Sequence, residues 1–157
     1  MMGLSLGIVA GAVNVSVGGG ADKAIFGYGK TTVAVSMTNL VSNTGVVASD
    51  TTGVGTVRTG LAAAGYGTDK AIFGYGGTSV AVSMTNLVSN TGIVASDTTG
   101  VDTGRRYLAA AGYGTDKAIF GYGEVYSKTN LVSNTGVVAS DTTIVGTARS
   151  LLAAAGY

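Results

Sequence analysis

Apolar and polar positions alternate along this chain in short runs, and each run is cut by glycine or by a Ser-Asn-Thr-Gly turn before a helical period can establish itself. In Ala24-Ile25-Phe26-Gly27-Tyr28-Gly29, Phe26 and Tyr28 fall on one face and Ile25, Gly27 and Gly29 on the other. That predicts a strand with one aromatic face and one nearly bare face, and a bare glycine face lets another backbone come close. Val33, Val35, Met37 and Val41 then share a face opposite Ala34, Ser36, Thr38 and Ser42, the pattern of a half-buried strand. Ser42-Asn43-Thr44-Gly45 separates it from Val46-Val47-Ala48; Asn and Gly tolerate positive φ, so a hairpin is predicted there. Leu61-Ala62-Ala63-Ala64-Gly65-Tyr66 is too short for a stable helix and is bracketed by glycines, so a crowded, fully buried strand is predicted.

These elements recur. The octapeptide DKAIFGYG begins at Asp22, Asp69 and Asp116, and TNLVSNTG begins at Thr38, Thr85 and Thr129. The segment from Asp22 to Thr68 differs from Asp69 to Thr115 only at positions 30, 32, 46, 55, 57, 59 and 60 and their counterparts, and the third unit has lost three residues around Glu124 to Ser127. Four short antiparallel strands in each unit of this length is the spacing of a propeller blade, with the alanine-rich strand innermost where tapering space excludes bulk. The expected fold is therefore all-β, a β-propeller-like tandem repeat of four-stranded blades. One repeat domain spans 1–157, with units at about 11–59, 60–106 and 107–150 and an extra inner strand at 151–157. An elongated β-solenoid shares the period and stays open as the alternative.

The order of features resembles a kelch repeat: Arg58, a small-residue strand, Asp69-Lys70-Ala71-Ile72-Phe73-Gly74-Tyr75-Gly76, then Thr-Asn before a hairpin. The likeness runs from about Val13 onward. It differs at the family's adjacent glycine pair, which is Gly74-Tyr75-Gly76 here, and at its tryptophan, near which Val46 or Val47 stands. The resemblance implies blades, and a structural arginine at the place of Arg58.

Three units are fewer than a closed propeller uses. Val13 to Gly18 is expected to supply a first inner strand, Gly7-Ile8-Val9-Ala10 echoes an outer strand, and Leu151 to Tyr157 is one inner strand more than three units need. Open strand edges adhere, so the chain is expected to associate with itself, a dimer completing the ring; a piece of a longer array is the competing account.

Composition narrows the chemistry. The 157 residues include no His, Cys, Trp or Pro, 11% are charged, and net charge is +1. The usual general base and the usual transition-metal ligands are missing, no basic field exists for nucleic acid, and no cofactor is implied. An enzyme is not expected, and a copper oxidase on kelch-like blades would lack its ligands. The apolar stretch before Lys23 has no basic residue and is too short to span a bilayer, so neither a leader nor membrane insertion is expected. Gly29-Lys30-Thr31 lacks the other glycine and the helix of a phosphate loop.

The candidate binding residues are Tyr28, Tyr66, Tyr75, Tyr113 and Tyr122, whose rings and hydroxyls suit a sugar, and Arg58, Arg105 and Arg149. The arginines either line a mouth for an anionic ligand or tie neighbouring units to a carboxylate, the commoner use. Asp50, Asp97 and Asp141, in the repeated ASDTT, are expected to close turns at strand ends. Lys128 stands where the other units have Met37 and Met84, so that face is expected to meet solvent or an interface. The expected function is a non-catalytic, multivalent binding or structural module. It would act on glycans or surfaces, as a lectin-like propeller or a viral tail or fibre protein does, outside the cell or on a virion. A self-assembling scaffold is the second possibility.

Overall fold

The computed structural model describes residues 23–143 and 146–157. The expected strands at Gly7 to Ala10 and Val13 to Gly18 lie outside the described residues. Nine strands form three antiparallel sheets, with no helix among the described residues. The first sheet pairs β1 (Ala24–Gly27) with β2 (Thr38–Val41). The second has the order β3 (Ala62–Tyr66), β4 (Lys70–Gly74), β5 (Thr85–Val88). The third runs β6 (Ala109–Tyr113), β7 (Lys117–Gly121), β8 (Lys128–Val132), β9 (Thr142–Thr143).

The registers repeat. β3 meets β4 from Ala62↔Gly74 to Tyr66↔Lys70, and β6 meets β7 from Ala109↔Gly121 to Tyr113↔Lys117. The predicted hairpin forms in every unit: the Gly45 amide donates to the Ser42 carbonyl at 3.0 Å, and Ser42 Oγ accepts from the Val46 amide at 3.1 Å. Gly45 takes φ 81°, a conformation that costs glycine nothing.

Two predicted strands come out shorter. Val33 to Met37 folds back through a single Lys30↔Ala34 bridge, and only Thr38–Val41 pairs as a strand. The reason lies at Tyr28, which adopts φ 62°, as Tyr75 and Tyr122 adopt 65° and 63°. A left-handed residue at the end of each Ile-Phe-Gly strand turns the chain out of its ladder. Val46-Val47-Ala48 is reduced to the single bridge Val41↔Val47. The alanine-rich strands are also not the fully buried elements predicted. In β3 burial alternates, and Ala63 and Ala64 of β3 line a cleft of about 780 Å³ together with Gly112 and Tyr113 of β6.

The core lies between sheets. Tyr66, Ile72, Tyr75, Leu108, Phe120 and Val132 form one cluster, and Tyr28, Phe73, Val88 and Val94 form the other. At Gly27 and Gly74 the glycine face receives an aromatic ring from the next unit, and the backbone approach expected of such a face occurs at Gly76 and Gly123, where a Cβ would lie 2.7 Å from the Thr59 carbonyl oxygen and 2.8 Å from that of Arg106. A Cβ on Gly27 would lie 2.9 Å from the Phe73 ring, and one on Gly74 would lie 2.6 Å from the Phe120 ring. Phe73 also tilts against Tyr28 with centroids 5.2 Å apart, and Phe120 against Tyr75 at 5.1 Å.

Candidate functional site

The same four side chains meet at each junction between units. Arg58 sits over the ring of Tyr28 of its own unit, 4.7 Å from the centroid. Its guanidinium then crosses into the next unit, where it donates to Asn86 Oδ1 and pairs with Asp97 at 3.3 Å. Arg105 repeats this over Tyr75, also at 4.7 Å, donating to Asn130 and facing Asp141 at 3.8 Å. Both arginines are fully buried.

The backbone places them. The Gly29 amide donates to the Arg58 carbonyl at 3.0 Å, and the Gly76 amide to that of Arg105 at 2.8 Å, so the left-handed tyrosine and the glycine after it fix where each arginine emerges. On the receiving side Asn86 Nδ2 donates to the Ala95 carbonyl at 3.1 Å and to Asp97 at 2.8 Å, which leaves its Oδ1 aimed at the arginine. Buried charge is tolerable only when paired and hydrogen-bonded in this way.

Charge states follow the geometry. Burial pushes the Tyr28 and Tyr75 hydroxyls above the ordinary phenol value, although the adjacent arginines pull the other way. Burial opposes ionisation of Asp97, but hydrogen bonds from Thr56 and Asn86 and the charge of Arg58 outweigh it and hold the carboxyl below its usual range. Asp141 falls to about 2, because hydrogen bonds from Lys128, Thr103 and Asn130 outweigh its burial. Lys128 Nζ lies 2.8 Å from Asp141 and 2.7 Å from Thr103 Oγ1, so the lysine that replaces methionine in the third unit faces a junction.

The structure therefore divides the tyrosines and arginines singled out in the sequence. Tyr28, Tyr75, Arg58 and Arg105 are buried at junctions. Tyr122 carries Arg149, whose guanidinium carbon is 4.1 Å from the ring centroid; Arg149 is exposed and meets no Asn–Asp pair among the described residues. Tyr66 is buried at the edge of the cleft, and Tyr113, 40% exposed, lies on the cleft wall with Tyr157. Asp97 and Asp141 take an arginine from the preceding unit, a partner that the turn reading of ASDTT did not provide. Asn86 and Asn130 were passed over in the sequence. Their signal was there: each stands eleven residues before its aspartate, in step with the arginines. No protein-family model and no curated protein matches this chain.

Proposed function

We propose that this chain is a non-catalytic repeat module, structural and binding at once, whose units are propeller-like blades of the kelch kind. The observation that carries this reading is the Arg58–Tyr28–Asn86–Asp97 stack and its copy at Arg105. The arginines, tyrosines and asparagines of these junctions are buried in holding one unit to the next, and each guanidinium is turned toward the asparagine and aspartate of the following unit. A framework joined in this way presents the same outer surface repeatedly, and repeated weak sites gain by avidity. The location that suits this role is outside the cell or on a virion.

Carbohydrate is the ligand class we assign to it. The cleft of about 780 Å³ has alanine and glycine walls, with the Tyr113 and Tyr157 rings and the Lys117 ammonium along its lining. Flat apolar faces beside hydroxyl and charged groups match the two sides of a sugar ring. A glycan array probed with the 157-residue chain on a multivalent support tests this. Binding that falls with Tyr113→Ala supports it, and silence at high valency leaves the scaffold reading.

A further inference from the structure

The two ends of the described array are halves of the same junction. At its first sheet, Asn39 Nδ2 donates to the Ala48 carbonyl at 3.1 Å and to Asp50 at 2.8 Å, the arrangement that receives an arginine at Asn86–Asp97, yet no arginine reaches it among the described residues. At the other end Arg149 already lies on Tyr122 and is exposed.

Packing agrees with charge. Phe73 and Phe120 are buried on the glycine and tyrosine of the preceding unit, whereas Phe26 is 61% exposed. The seat that such a ring would fill is open at Gly121, where a Cβ would meet, among the described residues, only the Thr129 methyl at 3.5 Å. A second pair of surfaces repeats this. Gly92 rests on Leu40 and Gly136 on Leu87, but no described residue comes within 4 Å of a Cβ on Gly45, and Leu131 is 43% exposed.

Backbone pairing agrees as well. Lys-Ala-Ile-Phe-Gly at 70–74 and 117–121 pairs with Ala-Ala-Ala-Gly-Tyr at 62–66 and 109–113. The first sequence also occurs at 23–27 and the second at 153–157; among the described residues β1 pairs only with β2, and 153–157 pairs with no strand. The 151–157 segment already follows the array: the Leu151 amide donates to the Tyr107 carbonyl at 2.9 Å, as the Tyr107 amide does to that of Gly60 at 2.7 Å.

We propose that segment Arg149–Tyr157 of one copy docks on the β1–β2 sheet of a second copy. Ala153 to Tyr157 adds as a strand to β1 in the register Ala153↔Gly27 to Tyr157↔Lys23. Arg149 enters the Asn39–Asp50 pair, and Phe26 of the second copy seats on Gly121 and Tyr122 of the first. The contact is head-to-tail, so two copies that use both ends close a ring of six units, and a different rotation gives a filament. Residues 15–19, Val-Ser-Val-Gly-Gly, are the rival for the β1 edge, but Gly11 stands where the arginine is needed. The contact does not depend on whether the cleft takes carbohydrate.

Sedimentation velocity over a dilution series tests it. The 157-residue chain is expected to form species of two or more copies. Arg149→Glu, Asp50→Arg and Phe26→Ala are each expected to weaken association about tenfold or more, as loss of one partner of a buried pair does. Circular dichroism of each variant confirms that it keeps its strands. Mixing the Arg149→Glu and Asp50→Arg chains is expected to restore association. At one contact the two introduced side chains then form the pair with its charges exchanged, and at the other the native Arg149 meets the native Asp50. A monomer at every concentration overturns the proposal, whether residues 15–19 or the chain's own end covers β1. Association indifferent to all three substitutions overturns it too.

Discussion

The guanidinium of Arg105 rests on the ring of Tyr75, 4.7 Å from its centroid, and neither side chain reaches solvent. Tyr75 belongs to the arginine's own unit, while Asn130 and Asp141 belong to the next. One side chain thus couples the folding of two units, as nearest-neighbour contacts do in repeat arrays.

Removing that coupling is expected to be costly. Arg105→Ala leaves the buried Asn130 Oδ1 without its donor, while Asp141 keeps Lys128, and it is expected to lose about 1–3 kcal/mol, the usual result of leaving a buried polar group unsatisfied. Arg149→Ala, exposed, is expected to change the stability of the dilute monomer by no more than about 0.5 kcal/mol. Urea unfolding of the two variants, compared at matched low concentration, checks the contrast.

The phenylalanines give a second matched pair. Phe120 is fully buried against Gly74 and Tyr75, and Phe120→Ala should cost about 3–5 kcal/mol. Phe26→Ala should leave the monomer's thermal midpoint almost unmoved. A shift of similar size in both would contradict the packing described above.

Gly74 and Gly121 occupy the same place in successive units but differ in what lies above them. Gly74→Ala drives a methyl into the Phe120 ring and is expected to cost about 1–3 kcal/mol, whereas Gly121→Ala meets only ordinary contact. Their denaturant midpoints should therefore separate.

Acid should open the last junction. The Asp141 carboxyl is depressed to about 2 in the fold, against about 3.9 in an unfolded chain. Its contribution is complete above about pH 4 and is lost as pH falls toward 2, because the unfolded state binds the proton more readily. Asp141→Asn removes this dependence, so stability followed from about pH 5 to about pH 2 should fall less steeply in the variant. At the alkaline end Tyr75 behaves in the opposite sense. Its raised value keeps the phenol neutral in the fold, and stability is lost above about pH 10 as unfolded tyrosine ionises.

Much of this was legible in the chain. Strict repetition, the Ser-Asn-Thr-Gly hairpins and the Ile-Phe-Gly strands follow from local rules, since a hairpin needs its positive-φ glycine and a strand its alternation. The shortened second strand was not legible, because nothing in a tyrosine's chemistry announces the left-handed φ of Tyr28, Tyr75 and Tyr122. Likewise the arginines, asparagines and aspartates were visible as recurring letters without visible partners. Arg58 and Asp97 are 39 residues apart in the chain yet 3.3 Å apart in the fold. Period and alternation depend on neighbours in sequence, so the chain alone determines them. Which carboxylate neutralises a buried guanidinium, and which glycine lies under which ring, depends on how one sheet is set against the next, and only the tertiary structure decides that.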